Sequence, residues 1–112
     1  GNFKQDSPES SEIFIKVDSR FMQLALKDIY MVEALADYVH IFTDKQRYTV
    51  LSTMKAIEDK LSRKDFIRVH RSYIVRIDRI KEIDDHTIVI ADKNVPVSRN
   101  SKEALMNALN KL

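Results

Sequence analysis

The segment Phe66-Ile67-Arg68-Val69-His70-Arg71-Ser72-Tyr73-Ile74-Val75 carries the side chains whose types and spacing suggest chemistry. Ile67, Val69, Tyr73 and Val75 are apolar anchors that can hold a backbone in a core, and Arg68, Arg71 and Ser72 are left to project from the bend between them. A rigidly held Arg presents a planar fork of N–H donors that matches phosphate oxygens, or the O6 and N7 acceptors of guanine. His70 and Ser72, flanking Arg71, also admit a base-and-nucleophile reading. A serine nucleophile needs an oriented base, an orienting acid and an oxyanion hole, commonly at a strained turn that glycine permits, and nothing nearby supplies them. His40 and His86 stand far from His70 with no HxH or HxxxH spacing, so no metal site is expected. Asp84-Asp85 before His86 reads as a hairpin turn, because short Asp side chains stabilise turns locally. No catalytic residue and no cofactor is expected.

The same segment sits inside a charge asymmetry. Lys60, Arg63, Lys64, Arg68, Arg71, Arg76, Arg79 and Lys81 are opposed over that stretch only by Asp65 and Asp78, a local net of +6 in a chain whose total is +2. Basic charge gathered into one segment is the footprint of a polyanion-binding surface; it is also the composition of a solvated face without a partner. Lys60, Arg63 and Lys64 fit a solvated helix end, where cations favour the local dipole.

These residues need a scaffold to hold them. A chain of 112 residues supports one domain with one core, and 44% apolar with 32% charged residues is globular composition. The absence of Cys removes disulfides, thiolate zinc sites and cysteine nucleophiles together, and fits a reducing compartment. The single Gly is Gly1, so neither a phosphate-cradling loop nor a GxGxxG turn is available. No apolar run approaches the roughly 20 residues that span a bilayer, and Asn2 to Ser11 lacks the apolar core and basic lead of a signal peptide. A soluble, cytoplasmic protein is expected.

Residues 1–12 are polar, contain Pro8 and show no apolar period, so they read as a flexible linker or an expression remnant, with the domain over 13–112. Period-two alternation predicts strands over Ile13 to Val17, Phe21 to Leu26, Ile29 to Leu35, Tyr38 to Thr43 and Arg47 to Leu51. Their turns lack glycine, which favours three- to five-residue loops over two-residue hairpins. Met54, Ile57 and Leu61 then predict a helix of about two turns capped by Ser52 or Thr53 and ending near Leu61. Strand rhythm returns in Phe66 to Val69, in Tyr73, Val75 and Ile77, in Thr87 to Ile90 and in Val95 to Val97, with Ala91 to Asn94 as a connecting turn. Asn100 with Glu103 suggests a capping box, and Leu105, Met106, Leu109 and Leu112 form an apolar stripe. The predicted fold class is mainly β, an antiparallel meander or sandwich with one short internal helix and a C-terminal amphipathic helix.

The strings FIRVHRSYIV, YMVEALADYVHIFT, YTVLSTMKAIEDKL and VPVSR, in that family's order and spacing, resemble the LytTR-type DNA-binding domain of bacterial response regulators. The resemblance covers Ile13 to Leu112. It implies a mostly antiparallel β fold that binds double-stranded DNA through loops in the major groove, as the non-enzymatic output domain of a two-component regulator. Residue by residue, it implies base contacts from Arg71, Arg99, Asp37 and Tyr38; with that duplex as the partner, the basic segment is expected to supply phosphate contacts from Arg68, His70, Ser72, Arg76, Lys64 and Lys81. Arg76 departs from the family pattern, which usually has Asn there, and adds charge instead. The resemblance further implies a receiver domain before the N-terminal segment, dimers of the full-length protein on paired direct repeats, and an isolated domain that is monomeric. Without it, Arg71 and Arg99 read equally as surface ion-pair partners and His70 as a structural residue. Two rival readings of the basic face are a module for an acidic protein and a single-strand RNA binder; the second wants exposed aromatics, whereas Phe66 and Tyr73 fit core positions.

Overall fold

The computed structural model describes residues 11–112, and the polar segment 1–10 lies outside the described residues. The described elements are β1 (Glu12–Val17), β2 (Arg20–Ala25), β3 (Ile29–Leu35), β4 (Tyr38–Thr43), β5 (Arg47–Leu51), α1 (Met54–Glu58), β6 (Phe66–His70), β7 (Tyr73–Arg76), β8 (Ile80–Ile83), β9 (Thr87–Ile90), β10 (Lys93–Pro96) and α2 (Arg99–Ala108). They form a five-stranded sheet in the order β5-β4-β3-β7-β6, a two-stranded β1-β2 hairpin and a three-stranded β10-β9-β8 sheet, with every pairing antiparallel.

The five-stranded sheet is the middle layer. One of its faces packs Ile29, Val32, Val39, Ile41, Phe66 and Ile74 against the β1–β2 hairpin and α1. The other packs Met31, Phe42, Val69 and Val75 against Ile88, Ile90, Val95 and Leu105 of the three-stranded sheet and α2. A strand covered on both faces must be apolar on both, which is why Ile29, Tyr30, Met31 and Val32 of β3 run without a polar interruption. A bulge between Ile29 and Met31 resets the alternation within that run.

Several local expectations need correction. Val17 pairs with Arg20, Leu35 with Tyr38 and Ile90 with Lys93, so Asp18-Ser19, Ala36-Asp37 and Ala91-Asp92 are two-residue connections despite lacking glycine. Asp18, Ser19, Ala36 and Ala91 take positive φ values of 52° to 67° to achieve this. The flanking ladders impose that conformation against its local cost. Glu12 pairs with Ala25 and is part of β1 rather than the preceding polar segment. Leu26 and Ile77 belong to single 3-10 turns rather than to strands. The first helix stops at Glu58, and its cap is Thr53, whose Oγ1 accepts from Ala56 N at 3.0 Å. Asn100 lies inside α2, whose cap position is Ser98, and Leu112 is fully exposed beyond the helix.

Candidate nucleic-acid interface

Antiparallel register decides which loops share an end of the middle sheet. Glu33 pairs with both His40 and Tyr73, and Ala34 N donates to Ser72 O at 2.9 Å. The Ala36-Asp37 and Arg71-Ser72 tips therefore leave the sheet at the same end. Ser52 N donates to Asp37 O at 3.3 Å, which brings the approach to α1 there. Ser98 N donates to Val69 O at 2.8 Å and Val97 N to His86 O at 2.9 Å, so the start of α2 and the Asp84–His86 loop join them. Asp37, Tyr38, Arg71 and Arg99, from three separate loops, are all exposed at this Arg71 end.

The Arg71 tip is built by side chains rather than by special backbone. Val69 is the extra residue of a bulge between Arg68 and His70, which leaves its carbonyl for Ser98. Arg68 extends its guanidinium under the tip: Nη2 donates to Arg71 O at 2.6 Å, Nε to His70 O at 3.4 Å and Nη1 to Glu58 Oε1 at 3.1 Å. Ser72 N donates to His70 Nδ1 at 3.1 Å, which puts the ring proton of neutral His70 on Nε2. The tip is thus pinned from inside, and among the described residues the Arg71 side chain has no hydrogen-bonding or ion-pair partner. The same holds for Arg99, which opens α2 where the helix dipole is positive and Ser98 supplies no side-chain cap.

Behind the tips, Tyr73 OH donates to Glu33 Oε2 at 2.9 Å, and His40 Nδ1 lies 3.7 Å from Glu33 Oε1. Burial, and then the Glu33 carboxylate, push the Tyr73 phenol above its usual range, so Tyr73 is a neutral structural donor. Near the start of α2, Lys102 pairs with Asp85 and lowers its pKa, and backbone N–H groups of His86 and Thr87 lower that of Asp84.

The remaining phosphate candidates lie elsewhere. Arg76 pairs with Phe66 at the other end of the β6–β7 hairpin, about 13 Å along the strand from His70. Its Nε meets Asp78 Oδ1 at 3.0 Å, its Nη1 donates to Leu26 O at 3.3 Å, and its guanidinium lies 5.3 Å from the Phe66 ring centre. Lys64 is exposed at that Arg76 end, in the turn before β6. Lys81 follows Ile80, which pairs with Ile90 just before the Ala91-Asp92 turn; Lys93, next after that turn, lies over Phe42, far from Tyr38 on β4. The sequence missed the bracing role of Arg68 and Glu58, for which it carries no signal beyond opposite charge ten residues apart.

Comparison with known proteins gives the family. Residues 19–110 match the model of the LytTr DNA-binding domain family. The chain is 34% identical over 105 residues to the sensory transduction protein LytT of Enterococcus faecalis, covering 88% of this chain and 43% of that protein. It is 29% identical over 99 residues to the transcriptional regulatory protein YpdB of Escherichia coli strain K12, covering 82% and 41% respectively. The chain thus spans less than half the length of these relatives. A solved LytTr DNA-binding domain from Bacillus cereus superposes with a TM-score of 0.76 over 91% of this chain and 99% of that one, at 22% identity. On the family match and the relatives' similarity, this chain belongs to the LytTR family of DNA-binding domains that serve in transcription regulation.

Proposed function

We propose that the chain reads a specific duplex by laying its Arg71 end into the major groove. The observation that carries this reading is convergence: Arg71 and Arg99, exposed and unpartnered among the described residues, share one end of the middle sheet with Asp37 and Tyr38, while Arg68 and Arg76 are engaged internally. Arg71 and Arg99 take guanine O6 and N7 as bidentate donors, Asp37 and Tyr38 contact neighbouring base edges, and the His70 Nε2–H and Ser72 hydroxyl meet flanking phosphates. The phosphate set is revised accordingly: Arg68 acts as the brace of the tip, and Arg76, Lys64 and Lys81 stay clear of the duplex.

The domain is non-enzymatic and cytoplasmic, the output module of a response regulator whose receiver domain precedes β1. The full-length protein dimerises on paired direct repeats, and the isolated domain is a monomer. The lengths of the relatives support a second domain, and among the described residues no helix is long and apolar enough to cross a membrane.

Duplexes selected from a random pool test the reading. Arg71→Ala and Arg99→Ala are each expected to weaken the selected duplex by about 5- to 150-fold relative to random duplex, the size of a lost bidentate base contact. Equal weakening of both duplexes would contradict base reading.

A further inference from the structure

Beside the arginines, the same end of the middle sheet exposes a row of apolar side chains. Leu35, Tyr38 and Leu51 are 52%, 46% and 70% exposed. Leu35 pairs with Tyr38 and Tyr38 with Leu51, so the three lie side by side across β3, β4 and β5 on one face. Val39 and Val50, their neighbours in sequence, point into the core on the opposite face. Outward positions at a solvated sheet end are ordinarily polar, so a contiguous apolar row there marks a surface meant to be covered.

The position of the row indicates what covers it. Ala34 N bonds to Ser72 O, so the Arg71-Ser72 tip is level with Leu35, and the strand order continues from Leu51 through Tyr38 and Leu35 to Ser72 and Arg71. A surface that approaches Arg71 end-on therefore meets the row as well. In the major groove the one apolar group on a base edge is the C5 methyl of thymine. Resting on the duplex-binding reading above, we infer that Leu35, Tyr38 and Leu51 form an apolar strip that packs on thymine methyls. With strands about 4.8 Å apart, the strip centres about 12 Å from the β6–β7 tip, three to four base pairs at about 3.4 Å each. The preferred site then carries thymines on one side of the arginine-read guanines at that spacing.

Deoxyuridine differs from thymidine only by this methyl, which makes it the probe. Duplexes selected from a random pool with the 112-residue chain are resynthesised with deoxyuridine at one thymine at a time, and their affinities are measured for the chain and for Leu35→Ala and Leu51→Gln. These side chains are exposed, and thermal melts confirm that each variant is folded. The expected result is a loss of about fourfold per methyl at one or two thymines lying three to four base pairs from a required guanine, a loss absent in the variant that lacks the contact. Undiminished affinity at every deoxyuridine would overturn the strip, and would assign the row to a protein partner while leaving the duplex-binding reading intact. Equal loss in chain and variants would also overturn it, since the methyl would then act through DNA shape. Recovery of no preferred duplex would defeat the underlying reading itself, and the strip with it.

Discussion

The two ends of the middle sheet use the same residue types in opposite ways. At the Arg76 end, Arg76 is held by Asp78, Leu26 O and the Phe66 ring, and Arg79 by Asp44 at 2.6 Å with its guanidinium 5.4 Å from the Tyr30 ring centre. At the Arg71 end, Arg68 alone is held, and what it holds is the backbone of the tip that presents Arg71. On the proposed reading, the local charge of +6 is not one binding surface. Arg76 and Arg79 tie the sheet to the β1–β2 side and to the β4–β5 turn, Lys60, Arg63, Lys64 and Lys81 are exposed without side-chain partners among the described residues, and Arg71 is unpaired at the opposite end on a rigid support.

Arg68→Ala is the largest break in this contrast. It removes three hydrogen bonds, leaves half-buried Glu58 without its partner and frees the tip, so a stability loss of about 2 kcal/mol is expected by chemical denaturation. Affinity for the selected duplex should fall at least about tenfold although no base contact is removed, because a loosened Arg71 must be ordered on binding. Arg76→Ala is its mirror image: a stability loss of about 1 to 2 kcal/mol from the lost stacking and carbonyl contact, with duplex affinity unchanged. Lys64→Ala and Lys81→Ala should leave the logarithmic salt slope of binding unaltered, whereas each phosphate contact removed would flatten it by about one unit.

The turns sharpen the comparison further. Ala91 holds φ of 54° at a connection remote from Arg71, and Ala91→Gly is expected to raise stability by about 1 kcal/mol without touching affinity. The smallest effect is electrostatic. Hydrogen bonding to Arg79 holds the Asp44 carboxyl below its usual 3.8. A depressed folded value contributes stability that is present above the ordinary carboxylate range and lost as pH falls through the lowered one. The melting temperature should therefore drop below about pH 4, and drop less steeply in Asp44→Asn.

How much of this is legible in the sequence follows from the distance over which each feature is encoded. Strands such as β1 and β4 announce themselves by local periodicity, whereas the two-face burial of β3 escapes a reading by alternation because its apolar run is unbroken. β8 escapes because Ile80 and Ile83 are its only apolar residues and a bulge between Ile80 and Glu82 breaks the period of two. The two-residue turns escape because the glycine rule treats local backbone cost as decisive, while the ladders on either side of Ala36 and Ala91 override it. The convergence of Arg71, Arg99, Asp37 and Tyr38 was available only through the family resemblance, since it depends on register between segments up to about sixty residues apart. The division of arginines between bracing and presentation was not available at all: opposite charge is too common for the Arg68–Glu58 pair to stand out.

The central claim is that one end of the sheet meets DNA and the other does not. Backbone amide chemical shifts of the labelled chain, followed by NMR during titration with a selected duplex, test it directly. The account predicts large changes confined to Leu35 to Tyr38, Leu51 to Thr53, His70 to Ser72 and Ser98 to Asn100, with Asp44 to Gln46, Lys64, Arg76, Lys81 and Asp92 unmoved. Changes of comparable size at Lys64, Arg76 and Lys81 would contradict it, because the basic segment would then bind as a single charged face.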